Sequence, residues 1–420
     1  DAMAAAGLRF DRFYAAAPVC SPTRASVLTG RTNRRTGVES HGFALRRQEQ
    51  SIATLLRSAG SATGHFGKWH LNGLRGPGAP VLVDDTHHPG VFGFDTWLSV
   101  TNFFDMNPIM SRNGVFEEFA GDSSEIIVDQ AIEFMRQQAD ADKPFFTVIW
   151  YGTPHSPFMA DETDIRPFAD VSDERSRKQL AELVAMDRSI GTLRAALRQM
   201  QIADNTIVWF TSDNGGLPNL EPETVGGLRG NKRSLYEGGI RVPGIVEWPA
   251  QIEPRVTSYP AVSMDIVATI ADLVGIPPSQ LVWPQDGISL RPLFRSELAT
   301  RDKPIPFSCF EDMAVVDNNF KLLRLGGSEQ ILYELYDLDN DPAEQINLYD
   351  MRPEIATRMQ ELLNQHDQSI QQSIAGADYE EGSVNPGEPP PRSWIDDPRY
   401  RPYFDEWRDR PEYRSWLRDK

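Results

Sequence analysis

The strongest constraint on this chain is an alternation. Over roughly the first 275 residues, short apolar runs rich in β-branched and aromatic residues take turns with longer stretches of helical periodicity. "PFFTVIWYG" (144–152) is too short for a helix and reads as a buried strand. "NTIVWFTSDNGG" (205–216) is a second such run, closing in turn chemistry. Between them Leu180, Leu183, Val184, Ile190, Leu193, Leu197 and Met200 recur at helical spacing. An earlier helix follows from "GDSSEIIVDQAIEFMRQQ", with Asp122, Ser123 or Ser124 as its cap and Ile127, Ala131, Phe134 and Met135 toward a core. A strand that is apolar throughout needs cover on both faces, and intervening helices supply it. The pattern predicts an α/β fold, a mostly parallel sheet sandwiched by helices.

Past about residue 300 the texture changes. "MAVVDNNFKLLRL" holds two strand-like runs around an Asp317-Asn318-Asn319 turn, and "ILYELYDLDNDPAEQINL" adds a third. A helix over about 353–371 follows. This predicts a smaller C-terminal α+β subdomain with an antiparallel sheet. The expected organisation is a main domain over 1–300, this subdomain over 301–374, and a Pro- and aromatic-rich tail over 375–420 that packs onto a partner surface. A length of 420 residues is more than one hydrophobic core usually organises.

A net charge of -18 argues against nucleic acid as the main partner, because phosphate binding needs clustered Lys and Arg. No apolar run approaches the ~18 residues of a transmembrane segment. Cys20 and Cys309, the two cysteines, allow at most one disulfide and form no CxxC pair.

Cys20 stands in "PVCSPTRASVLTGR" (18–31). Pro22 suits the first turn of a helix, where a missing N–H costs nothing. That puts Cys20 at the positive end of the helix, with Arg24 one turn on along the same face. The residues alone admit a low-pKa thiolate, a phosphatase-like cysteine or a buried structural cysteine.

Cys20-Ser21-Pro22-Thr23-Arg24 and then, after four residues, Thr29-Gly30 resembles the C-x-P-x-R-x4-T-G signature of the sulfatase family. The resemblance implies an alkaline-phosphatase-like fold and oxidation of Cys20 by a formylglycine-generating enzyme. The formylglycine hydrate would attack a sulfate ester with one hydroxyl and expel sulfate with the other. "GHFGKWHLN" (64–72) is similar to the family's G-K-W-H-x-G, with Asn72 where glycine is usual. It implies Lys68 as a sulfate-binding cation and His70 as a partner of the formylglycine hydroxyl. "YGTPHSPF" (151–158) places His155 just past a strand, and the resemblance makes it a general acid for the leaving group. In "FTSDNGG" Asp213 and Asn214 match the family's Ca2+ ligands, one ion per site, alongside the modified Cys20. "GGLRGNKRSLYEGGIRVP" (226–243) resembles the L-R-G-x-K…E-G-G-x-R-V-P segment, which makes Lys232 the second sulfate-binding lysine. The resemblance runs in order from residue 1 to about 350 and includes "VSMDIVATIADLVGI", where Asp265 reads as a local helix cap.

One departure stands out. Family members begin with a strand ending in an Asp-Asp pair, and residues 1–14 resemble the helix and strand that follow it. Truncation is the expectation. Asp84-Asp85 lies past the Lys-Trp-His signature and does not read as a replacement. The resemblance is to bacterial and lysosomal carbohydrate sulfatases, so the expected substrate is a sulfated saccharide. His87, His88, Trp97, Arg112 and Asn113 are candidates for a sugar subsite. The expected compartment is secreted, periplasmic or lysosome-like. A phosphonate or phosphodiester hydrolase of the same superfamily, and an inactive homologue that binds sulfated glycans, are the alternatives.

Overall fold

The computed structural model describes residues 1–327, 330–418 and 420, which fall into two units. One comprises Asp1–His41, Gln48–Ile52 and Gln201–Pro386, the other Gly42–Arg47, Ala53–Met200 and Gly387–Lys420. The segment 301–374 lies within the first unit, and 375–420 is divided between the two at Pro386.

In the first unit the strand Leu8–Tyr14 is the hub. It runs parallel to Arg255–Thr257 and Ala261–Val262 and antiparallel to Arg241–Glu247, which in turn pairs antiparallel with Val208–Thr211. A second sheet is antiparallel throughout, in the order Ile305–Cys309, Asp312–Asp317, Phe320–Leu325, Leu332–Asp337. The Asn318-Asn319 turn makes its first expected hairpin, with Asn318 at φ 52, in the left-handed region that asparagine tolerates. This sheet is apolar on both faces because both are covered. Met313, Val315, Leu322 and Leu335 meet Ala356, Met359, Leu363 and Ile370 of the helix Pro353–Ile374. Their neighbours Ala314, Val316, Leu323 and Tyr336 face the other way, onto Tyr14, Val19, Leu235, Ile240 and Met264.

In the second unit Ala62–Lys68 is central and parallel to both neighbours, Thr96–Val100 and Phe145–Trp150. The hairpin Ile109–Arg112 and Val115–Glu118 extends the sheet antiparallel beyond Thr96–Val100. Both main sheets are therefore mixed, with the parallel pairs next to Leu8–Tyr14 and Ala62–Lys68. The helix Ser123–Asp140 is capped by Asp122, whose side chain accepts from Ser124 N at 2.7 Å, and it buries Ile127, Ala131, Phe134 and Met135 as expected. The helix Glu174–Gln199 packs beside it but buries a different face from the one its large apolar residues suggest. Gln179, Ala181, Glu182, Ala185, Ser189, Leu193, Ala196 and Leu197 are inside, whereas Leu180, Leu183, Val184 and Ile190 are half-exposed.

The aromatic tail finds its partner within its own unit. Trp394, Tyr400 and Tyr413 are buried and donate hydrogen bonds to the carbonyls of Pro77, Pro80 and Gly78. Each main sheet ends in a strand with one neighbour among the described residues, Phe145–Trp150 in one and Val208–Thr211 in the other. Phe145, Phe146, Ile149 and Trp150 are half-buried, as are Val208, Trp209 and Phe210.

Asp265 does not cap its helix. It is the first residue of Asp265–Val274 and fully buried, and its carboxylate accepts from Val262 N, Ile288 N and the Arg301 guanidinium. It ties three segments together instead.

Candidate active site

The helix Cys20–Thr29 is buried almost throughout, which explains the spacing of its signature. Its N-cap is Val19, whose side chain has no atom to accept a first-turn amide, so no side chain occupies that end. Cys20 is the first helical residue. Thr23 anchors the entry by donating to Ala17 O at 2.7 Å and accepting from Ala17 N at 3.1 Å. Gly30 ends the helix in the left-handed region, φ 72, and its N–H satisfies Ser26 O. A Cβ there would also meet the Gln285 side chain at 2.2 Å.

The strand Val208–Thr211 delivers Asp213 and Asn214 to this helix. Arg24 donates through Nε and Nη2 to Asp213 Oδ2 at 2.9 and 2.7 Å. Asn214 Oδ1 lies 3.4 Å from Cys20 Sγ, and Lys232 Nζ lies 3.4 Å from the same sulfur. The first unit therefore assembles Cys20, Arg24, Asp213, Asn214 and Lys232. Arg24 is opposed by Asp213, so the excess positive charge beside Sγ comes from Lys232 and the helix terminus.

The Lys232 loop is fixed by backbone closeness. Lys232 N donates to Gly216 O and Gly215 N to Gly239 O, both at 2.9 Å. A Cβ on Gly215 would fall 2.0 Å from Gly238 O, so side chains are barred from this crossing. Beneath it, Glu237 is wholly buried and accepts from Lys321 Nζ at 3.0 Å and Tyr14 Oη at 3.1 Å. Lys321 also meets Glu344 at 2.9 Å, and Glu344 accepts from Glu237 N at 2.6 Å. Burial raises the Glu344 carboxyl above its ordinary range, against the pull of Lys321.

Lys68, His70 and His155 belong to the second unit. Lys68 ends the central strand and is 2% exposed. Strand pairing continues past it, with Trp69 N and His70 N donating to Val100 O and Thr101 O, and His70 sits at φ 56. Trp69 locks the turn by donating to His87 O at 2.7 Å. The His155 imidazole stacks on Phe103, centroids 4.2 Å apart, and its Nδ1 lies 2.8 Å from Ser156 O.

Around these residues lie three carboxyls that the motifs did not single out. Glu182 Oε1 accepts from Met159 N at 2.7 Å. Asp105 faces the same Met159 amide and feels Lys68. Burial is the first cause that raises all of them: Asp105 well above the carboxylate range, Asp122 less, and Glu182 up to about 11 with Asp105 as its second cause. No motif or periodicity in the sequence marked Glu182, because the large apolar residues pointed to a different helical face.

The candidate sugar-subsite residues are each engaged locally. His87 Nε2 meets Glu388 at 2.5 Å, His88 stacks on Trp97, Arg112 pairs with Glu117, and Asn113 accepts from Trp97 N. Asp85 accepts from Asn72 and His87 N, and Asp84 pairs with Arg399.

Calcium takes about six to eight oxygen ligands. The first unit offers one carboxylate already held by Arg24, one amide oxygen and residue 20. Among the described residues no group of three or more His, Cys, Asp or Glu could hold a metal ion. This donor set does not fit a calcium ion by itself. No described helix is long and apolar enough to cross a membrane.

Comparison with known proteins gives consistent matches. The family model described as Sulfatase matches residues 1–276, and that for the C-terminal part of N-sulphoglucosamine sulphohydrolase matches 229–372. N-acetylgalactosamine-6-sulfatase of Canis lupus familiaris is 31% identical over 341 residues, 73% of this chain and 62% of that protein. Arylsulfatase A of Homo sapiens is 29% identical over 341 residues, 70% of this chain and 62% of that protein. The chain thus spans about three fifths of the length of these curated relatives. A crystal structure of Ps i-CgsB in complex with k-i-k-neocarrahexaose shares the fold, with TM-score 0.77 at 24% identity over 89% of this chain and 87% of that one.

Proposed function

Because the chain belongs to the sulfatase family, we propose that it hydrolyses sulfate esters, and that its substrate is a sulfated carbohydrate. The observation that carries this reading is the placement of residue 20. Its side chain ends at a helix N-terminus, 3.4 Å from both an ammonium and an amide oxygen. Such surroundings suit an oxygen-bearing group and an approaching anion better than an inert thiol.

We read residue 20 as formylglycine in the working protein, made by a formylglycine-generating enzyme. The hydrated aldehyde supplies two hydroxyls on one carbon, one as nucleophile toward sulfur and one to drive sulfate release. The chain's own residues then do electrostatic work. Lys232 and the helix amides neutralise charge on the sulfate oxygens, and Arg24 is held in place by Asp213. Lys68, His70 and His155 carry the roles their motifs imply: sulfate contact, contact with the nucleophile, and proton donation to the leaving oxygen. Calcium at Asp213 and Asn214 would need donors beyond these, and no step above runs through it. The reading places the protein in a secreted, periplasmic or lysosome-like compartment.

The test is a panel of sulfated mono- and disaccharides, beside an aryl sulfate and an aryl phosphodiester, with Cys20→Ala as control. Mass spectrometry of the peptide holding residue 20 accompanies it. Sulfate release that vanishes in Cys20→Ala, with an aldehyde mass at residue 20, is expected. An unmodified thiol with no turnover would favour a glycan-binding homologue, and faster phosphodiester cleavage would favour the phosphonate and phosphodiester hydrolases.

A further inference from the structure

Glu182 has no role in the reading above, yet its position is unusual. It stands midway along the helix Glu174–Gln199, on the face that packs inward, and is 0% exposed among Ala181, Ala185 and Ser189. Small neighbours leave room for a long polar side chain to reach beyond the helix. What it reaches is the loop after the strand Phe145–Trp150. Oε1 accepts from Met159 N at 2.7 Å, four residues after His155. One side chain thus holds the far end of the stretch 155–159.

The imidazole is positioned from the other side by the segment 103–105. Phe103 stacks on the ring at 4.2 Å with the planes 15° apart, and two residues on, Asp105 faces the Met159 amide and Lys68. An imidazole carried on a loop moves when that loop moves. Fixing the loop backbone removes that freedom.

We propose that Glu182 is a positioning residue for His155, holding the 155–159 loop so that the imidazole stays in one place. This rests on the reading of His155 as the proton donor to the leaving oxygen. The donor matters when the leaving group is a poor one, such as a sugar hydroxyl, and little when it is a nitrophenol that departs readily as an anion.

The experiment compares Glu182→Ala and Glu182→Gln in the full chain. Glutamine keeps an acceptor oxygen at the same reach, and alanine removes it. In Glu182→Ala, kcat/KM on a saccharide sulfate should fall by about 100-fold with kcat carrying the loss, while hydrolysis of nitrophenyl sulfate changes by less than about fivefold. Glu182→Gln should recover most of the lost activity. Hydrogen exchange of the 159 amide should quicken by about tenfold or more in Glu182→Ala and stay near wild type in Glu182→Gln. Should the alanine variant fail to fold, Glu182→Asp, withdrawn by one methylene, is read in the same way. Equal losses on both esters, or unchanged exchange at 159, would overturn the proposal. A wild-type protein inert toward every sulfate overturns the reading of His155 instead, and the exchange measurement still decides the positioning.

Discussion

Glu182 also makes a thermodynamic prediction that needs no substrate. Its carboxyl has an ordinary value of 4.5 and is pushed up to about 11 in the folded chain, by burial first and then by Asp105. Between roughly pH 5.5 and 7.5 the folded protein keeps this proton while the unfolded chain has lost it. The folded state therefore binds more protons, and stability falls as pH rises. The slope for one proton is about 1.36 kcal/mol per pH unit, so the loss over two units is about 2.7 kcal/mol. That figure does not depend on how far the carboxyl is raised, provided it stays protonated above pH 8. Glu182→Gln has no such proton in either state. Asp105 is raised by its own burial and then by Asp122, both of which the substitution leaves in place, so its share of the pH dependence is common to the two proteins. Thermal unfolding followed by tryptophan fluorescence should show the variant gaining on the wild type by roughly 5–10 °C between pH 5.5 and 7.5, from about 2–4 °C per kcal/mol in a unit of this size. Parallel pH profiles for the two proteins would refute the argument, because they would mean Glu182 is ionised in the folded state.

The buried Lys321 meets Glu237 and Glu344 together. Lys321→Met strands those carboxyls without their cation and should destabilise the first unit by about 3–5 kcal/mol, measured by urea denaturation. Cys309 is buried with its thiol pushed up to about 12, so alkylation near pH 8 should proceed only as fast as the protein opens. An alkylation rate unaffected by added denaturant would contradict this.

Much of the architecture was legible because it rests on strong, local signals. The apolar runs at 144–152 and 205–216 are strands, Asp122 caps its helix, and the 317–320 turn makes its hairpin. The helix Glu174–Gln199 was legible as a helix but not in its orientation. Leu180, Leu183, Val184 and Ile190 dominate any periodicity, whereas the inward face is built from Ala and Ser that carry little hydrophobic signal. Small side chains let two helices approach closely, and closeness decided the face. The same misreading hid Glu182. Asp265 looked like a cap because it opens a helix, but its carboxylate is drawn away by Arg301, 36 residues distant in sequence. At the candidate site, Cys20, Arg24, Asp213, Asn214 and Lys232 come together because Cys20 and Arg24 lie one turn apart on one helix, Asp213 and Asn214 just past a strand, and Lys232 on a glycine-locked loop. Asp105 and Glu182 escaped because no motif carries them and only tertiary contact gives them a role.

The strands Phe145–Trp150 and Val208–Thr211 bear on how the molecule behaves in solution. Each has one strand neighbour among the described residues and carries half-buried aromatic and β-branched side chains. A strand edge open to water is a template onto which an extended peptide can zip. What opposes it is long-ranged: a net charge of -18 makes every copy repel every other. That repulsion reaches only about 10 Å at 0.1 M salt. Charge is thus the guard and salt its solvent, so the acidity of the chain keeps copies apart at strand edges as well as in solution.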